Sequence, residues 1–144
     1  MNDQEFNRVA EIIFNGVPSV TKLGSPGNLV PLSKDTRAVL CGNSSSYVIL
    51  VAARFGQGRC LVFGHNGYVK SFENPNDAAT DGQFIKNCMR WVSNGKSNEI
   101  LNLNSVKSLN NVNVNGKILI WDGHKDKSGE FMNDLVMILE FYLN

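Results

Sequence analysis

The chain has no apolar run that approaches the roughly 20 residues needed to span a bilayer. Its amino terminus, Met-Asn-Asp-Gln-Glu-Phe, has no basic stretch followed by an apolar one. The expectation is therefore a soluble, cytoplasmic domain with no direct membrane insertion, peripheral to the plasma membrane only through a partner. Excess charge is missing as well: 14 Lys and Arg stand against 13 Asp and Glu, for a formal net charge of +1. So small an imbalance supplies no electrostatic ground for binding nucleic acid or an anionic lipid surface. Disulfides are poorly provided for. Cys41, Cys60 and Cys88 are odd in number, widely spaced and set among apolar neighbours, which fits reduced core thiols of a cytosolic protein.

Several catalytic and cofactor motifs are lacking too. Gly56-x-Gly58 has no third glycine and no strand-turn-helix context, and there is no Gly-x-x-x-x-Gly-Lys-Ser/Thr loop, so nucleotide binding is not expected. The two histidines, His65 and His124, lie far apart in the chain and form no His-Glu-x-x-His pair, which removes the usual helical zinc site of a peptidase. No cofactor and no dedicated metal site is expected. No repeat, low-complexity tract or linker divides the chain, so residues 1–144 read as one domain, complete in itself or a fragment of a larger protein.

What is present is a sequence of 144 residues, 42% hydrophobic, enough to bury a core. Phe6, Val9, Ala10 and Ile13 recur at i, i+3, i+4 and i+7, which predicts an amphipathic helix after Asp3 that stops near Asn15-Gly16. Residues 24–28 are dense in turn formers and precede a strand from Arg37 to Cys41. Two apolar runs around Gly56-Gln-Gly58 predict a hairpin of strands over residues 47–64. Thr80-x-x-Gln83 offers a capping box for a helix carrying Phe84, Ile85, Cys88, Trp91 and Val92 on one face, with Trp91 as a core anchor. A short strand near Glu99 to Leu103 and a central strand at Ile118-Leu-Ile-Trp121 follow. The stripe Phe131, Leu135, Ile138, Leu139 and Tyr142 predicts a last helix. Strands alternating with helices favour a three-layer α/β fold: a mostly parallel sheet, helices on both faces and one antiparallel hairpin.

The order of these motifs resembles the amino-terminal region of the TRP channel-associated factors. An alanine-containing strand, the turn Phe55-Gly-Gln-Gly-Arg59, an apolar strand ending in His65, and a helix carrying Phe84, Asn87 and Trp91 carry the likeness. Phe14-Asn-Gly-Val-Pro18, Lys117 to Asp122 and Phe131 to Tyr142 extend it more weakly. The resemblance implies a class I glutamine amidotransferase-like, flavodoxin-like fold. It also implies a protein partner, such as a membrane channel or a metallopeptidase-like domain further along a longer chain. The matching carboxyl-terminal helix leads, in that family, to another strand, so a vacant edge and homo-oligomers are expected here.

Candidate site residues follow from where strands end. In an open parallel sheet ligands bind beyond the carboxyl ends of the strands, and polar residues stand there at Cys41-Gly-Asn43, Gly64-His65-Asn66 and Asp122-Gly-His124. If those strands run alike, Cys41, His65, His124 and Asp122 share one rim, where a thiol beside an imidazole would make a nucleophile for a hydrolase or amidase. A weak metal site from His65, His124 and Asp122 is the other use of that rim. No cysteine fits the strand-to-helix elbow of the amidotransferases, since Cys41 has Val39 two residues before it and Cys88 lies on an apolar helix face. Arg54 and Arg59 flank the hairpin turn as a fork for a carboxylate or phosphate, or as a solvated edge. The expected function is a non-catalytic protein-interaction or regulatory module, with a cysteine hydrolase and a glycan-binding accessory domain of a metallopeptidase as alternatives. Trp91 and Trp121 fall on apolar positions, which leaves little aromatic platform for a glycan.

Overall fold

A computed structural model describes residues 3–21, 25–43, 46–65, 67, 81–96, 99–102, 118–122 and 136–140. The apolar period near the amino terminus produces two short helices, α1 (Asp3–Asn7) and α2 (Val9–Ile13), separated by Arg8. Phe6, Val9 and Ile13 are buried, and Gly16, at φ +70°, supplies the left-handed residue beyond the helix end that a side chain would resist. A third helix, α3 (Gly82–Val92), buries Phe84, Ile85, Cys88, Met89, Trp91 and Val92. It ends at Asn94 and Gly95, both at positive φ, and the Gly95 N–H donates to the Arg90 carbonyl at 2.8 Å.

The strands are β1 (Thr36–Cys41), β2 (Val48–Phe55), β3 (Gly58–Phe63), β4 (Ile100–Asn102), β5 (Ile118–Asp122) and β6 (Val136–Glu140). They form one sheet in the order β1-β2-β3-β6-β5-β4. The expected hairpin is present as β2 and β3, with Phe55 opposite Gly58 across a two-residue loop and Gly56 at φ +59°. A mixed α/β fold is what the chain adopts.

Two expectations about that fold are corrected. The sheet is not mostly parallel: β4 and β5 pair parallel, while the β1–β2, β2–β3, β3–β6 and β5–β6 pairings are antiparallel. Part of the cause is the second correction, at residues 136–140, where a strand stands in place of the expected helix over 131–142. Val136-Met-Ile-Leu139 is an unbroken apolar run, and such a run fits a strand covered on both faces as well as a helical stripe. As β6 it fills the slot between β3 and β5, in the opposite direction to both. The segment matched to the family's last helix is thus itself an interior strand, and among the described residues the sheet edges are β1 and β4. Edge β1 carries register shifts on either side of Leu40, irregularities of the sort that obstruct edge-to-edge pairing.

One face of the sheet builds the core. Leu50 and Ala52 of β2 stand opposite Phe63 and Leu61 of β3, and all four join Phe6, Val9, Ile13, Phe84, Cys88, Trp91 and Ile118 in a single buried cluster. Among the described residues the three helices pack on this face, so the helix layer expected on the other face is not among them. The rings of Phe63 and Phe84 meet edge-on at 6.4 Å, a favoured aromatic geometry. Trp91 is 2% exposed, the core anchor its place in the helical stripe predicts.

Candidate functional site

Strand directions put the predicted rim together in part. β1 and β3 both run against β2, and β3 and β5 both run against β6, so β1, β3 and β5 point the same way. Cys41 closes β1 opposite Val48, Gly64 donates to the Ile49 carbonyl at 2.9 Å just before His65, and Asp122 closes β5 opposite Val136, itself opposite Phe63. Cys41, His65 and Asp122 thus belong to one end of the sheet. They are not neighbours, because an antiparallel strand stands between each pair. At about 4.8 Å per strand the backbones at Cys41 and His65 are about 10 Å apart, and those at Cys41 and Asp122 about 19 Å. His124 lies outside the described residues. Among the described residues no group of three His, Cys, Asp or Glu is placed to hold a metal ion.

His65 is half-buried, and its Nδ1 accepts a 2.9 Å hydrogen bond from the Gly67 N–H. The lone pair on that nitrogen is spoken for by a tight local turn. Its position is set by Gly64, whose carbonyl accepts from the Gly27 N–H at 2.7 Å and whose missing Cβ would overlap the Gly27 carbonyl oxygen. Two backbones meet there, and glycine permits it.

The cysteines divide in a way the apolar neighbourhoods did not predict. Cys60 and Cys88 are buried, but Cys41 is exposed, a correction to the reading of all three as core thiols. Burial pushes the Cys60 thiol up to about 12 and holds the Cys88 thiol well above its ordinary value, so neither supplies a thiolate near neutral pH. Cys41 borders an open cleft of about 560 Å³ with Thr21, Ser25, Asn43 and Tyr47 on its wall. The cleft is shaped by pins between loops. Gly42 donates to the Tyr47 carbonyl at 2.8 Å, Leu29 to the Val48 carbonyl at 2.9 Å, and the Tyr47 hydroxyl to the Pro26 carbonyl. No basic side chain is among the described residues that line it.

No family model matches the chain, and neither a curated protein nor a solved structure matches it.

Arg54 and Arg59 correct the expectation most. They stand opposite each other in the β2–β3 register, on the face covered by the helices. Arg59 is 7% exposed; its guanidinium donates to the Trp91 carbonyl at 2.8 Å, to Glu5 Oε1 at 2.8 Å and to Asn94 Oδ1 at 3.1 Å. Arg54 donates to Asp35 Oδ1 at 2.9 Å and Asp3 Oδ1 at 2.7 Å, and the Arg54 guanidinium holds the Asp3 carboxyl below its ordinary range. A third arginine, Arg37, donates to Asn7 Oδ1 from both Nε and Nη2. Arg37 and Arg54 both stack on the ring of Phe6, at 5.0 and 4.9 Å. The fork expected from the sequence does bind carboxylates, but those of its own chain.

Sequence reasoning also missed the buried polar residues Asp81 and Asn87. Asp81, not Thr80, is the N-cap residue of α3; Thr80 itself lies outside the described residues. The Asp81 carboxylate accepts the Thr21 N–H at 3.0 Å and so anchors the loop beside the cleft. Asn87 is 6% exposed, and its Nδ2 donates to the Ile13 and Asn15 carbonyls at 2.9 and 2.8 Å. It closes the end of α2 from the side of α3. A signal was available: Asn87 interrupts the apolar face of Phe84, Cys88 and Trp91, and a polar group there must find partners.

Proposed function

We propose that this domain is a non-catalytic protein-interaction module, working as the resemblance to the amino-terminal region of the TRP channel-associated factors suggests. The observation that supports it is an inversion at the hairpin end of the sheet: Arg54 faces the helices while its neighbour Phe55 projects 87% exposed beside the turn. Leu32, in the loop leading to β1, is 88% exposed. Removing such apolar area from water at a partner surface is worth about 25 cal/mol per Å². In this reading the partner is another protein, a channel or a peptidase domain, and the contact is cytoplasmic. The kinship with class I glutamine amidotransferase-like domains belongs to the same proposal and rests on motif order, with the shared direction of β1, β3 and β5 in its favour.

A photo-crosslinking residue at position 55, compared with one at the exposed helical position 83, tests the reading in extracts. Discrete adducts from position 55 alone are the expected result. Equal adducts from both positions, or none, would count against it. A cysteine hydrolase is the second reading, favoured by the exposed Cys41 thiol at its cleft; it requires Cys41 to react with iodoacetamide at pH 7 much faster than free cysteine does.

A further inference from the structure

Helix α1 has the composition of a ligand. Its five residues, Asp-Gln-Glu-Phe-Asn, contain one apolar anchor and three side chains that reach arginines of the sheet. Asp3 meets Arg54, Glu5 meets Arg59 and Asn7 meets Arg37, with the Phe6 ring held against two of the guanidinium groups. The helix is also set apart from α2: Arg8 leaves helical geometry at φ −99°, ψ 12°, and its N–H is shared between the Gln4 and Glu5 carbonyls at 3.2 and 3.1 Å. The arginines are set differently. Arg59 is fixed independently of α1 by the Trp91 carbonyl and Asn94, Arg54 by Asp35, and Arg37 by the Lys34 and Thr36 carbonyls at 2.7 and 2.8 Å. Each keeps a sheet-side or α3-side partner if α1 leaves, so the receptor surface does not depend on its occupant.

We propose that Arg37, Arg54 and Arg59 form a binding site for an acidic segment bearing an aromatic side chain, and that α1 occupies it in cis until a partner's segment takes its place. This rests on the interaction-module reading and names its partner chemistry. Guanidinium groups recognise carboxylates through paired N–H donors and aromatic rings through their faces. A segment lacking the ring would leave the core open where Phe6, fully buried, now fills it. A segment lacking carboxylates would leave Arg59 without its counter-charge and Arg54 with Asp35 alone. An incoming peptide competes with a tethered copy at an effective concentration of roughly millimolar, so α1 keeps the site closed to weak ligands.

The probe is a fluorescein-labelled peptide of residues 1–9 of this chain, and the protein is the full chain with Asp3→Asn and Glu5→Gln. Anisotropy should show saturable binding at least ten-fold tighter than to the wild-type chain. A peptide with Phe6→Ala, or with both carboxylates replaced by amides, should bind at least ten-fold more weakly. A second variant, Phe6→Ala in the protein, should rise in Tm when the peptide is added and not when the Phe6→Ala peptide is. Equal binding to wild-type and loosened chains, indifference to the ring or the carboxylates, or no binding to a variant that melts cooperatively would overturn the proposal. Concentration-dependent dimers of the wild-type chain that vanish with Arg54→Ala would assign the occupant to a second copy and overturn the assignment to another protein. The peptide assay involves no contact at Phe55, so it can fail while crosslinks from position 55 persist, and the reverse.

Discussion

Replacing Gly64 by alanine should destabilise the domain, whereas the same change at Gly27, its contact partner, should not. The two glycines face each other across one hydrogen bond, Gly27 N–H to Gly64 carbonyl at 2.7 Å. A Cβ on Gly27 would meet only the Gly64 carbonyl oxygen at 3.5 Å, an ordinary contact, whereas one on Gly64 would overlap the Gly27 carbonyl and crowd its nitrogen at 3.2 Å. The obstruction is backbone, which cannot rotate aside as a side chain would. Forcing the segments apart costs about 1–3 kcal/mol as overpacking, and losing the hydrogen bond adds about 1 kcal/mol. The lower entropy of an alanine-bearing unfolded chain returns about 0.4–1 kcal/mol. The net is about 1–3 kcal/mol, equivalent to a fall in Tm of roughly 4–10 °C for a chain of this size. Gly27→Ala should stay within about 0.5 kcal/mol of wild type. Thermal and urea melts of the two variants decide the matter. A Gly64→Ala melt that coincides with wild type would refute the reasoning, because the loop at residues 25–29 would then yield without cost.

Arg59→Met should cost about 2–4 kcal/mol in a urea melt, since it strips a buried carbonyl and Glu5 of their donor; a loss under about 0.5 kcal/mol would mean the guanidinium contributes little. In the folded protein one thiol, Cys41, should react with a thiol reagent at pH 7, the other two following only on unfolding, and mass spectrometry counts the adducts. Cys60 holds its proton in the fold up to about 12 against an ordinary value of 9.0, so its share of stability is present below about pH 9 and lost as pH rises towards 12. Cys60→Ala should flatten the fall of Tm across that alkaline window. The lowered Asp3 value has the opposite sense: its contribution is present above about pH 4 and lost as pH falls further, so Asp3→Asn should reduce the acid slope of Tm below pH 4.

Local patterning carried some parts of this structure and not others, for identifiable reasons. The two apolar runs about Gly56 and the stripe through Trp91 each obey one rule and form the expected element, while the amphipathic period from Phe6 to Ile13 gives helix as expected but in two short pieces broken at Arg8. Residues 136–140 obey two rules at once, and the choice is made by a vacancy between β3 and β5 that no local window contains. That choice also places two antiparallel pairings where β3 and β5, which point the same way, would otherwise have met in parallel. The rim shows the same division. Which residues end the strands was legible, and so was their common direction; that β2 and β6 would separate them was not, because strand order is a long-range property.

The arginines show a third kind of outcome, in which the chemistry was legible and its direction was not. Period-two alternation places Leu50, Ala52 and Arg54 on one face and Phe55 on the other, so a reader following hydrophobicity would put Phe55 inside. The register cannot slip by one residue to bury it, since Leu50 and Ala52 would then leave the core that they share with Phe63 and Leu61. The cost of keeping Arg54 inward is met by α1, whose Asp3 and Glu5 arrive over the guanidinium groups of Arg54 and Arg59 while Phe6 covers the face of Arg54. An acidic first turn in a helix predicted only to pack thus has a specific reason. The same pairing leaves Phe55 in solvent, so the clamp that closes one surface of the domain also creates the exposed apolar side chain on the other.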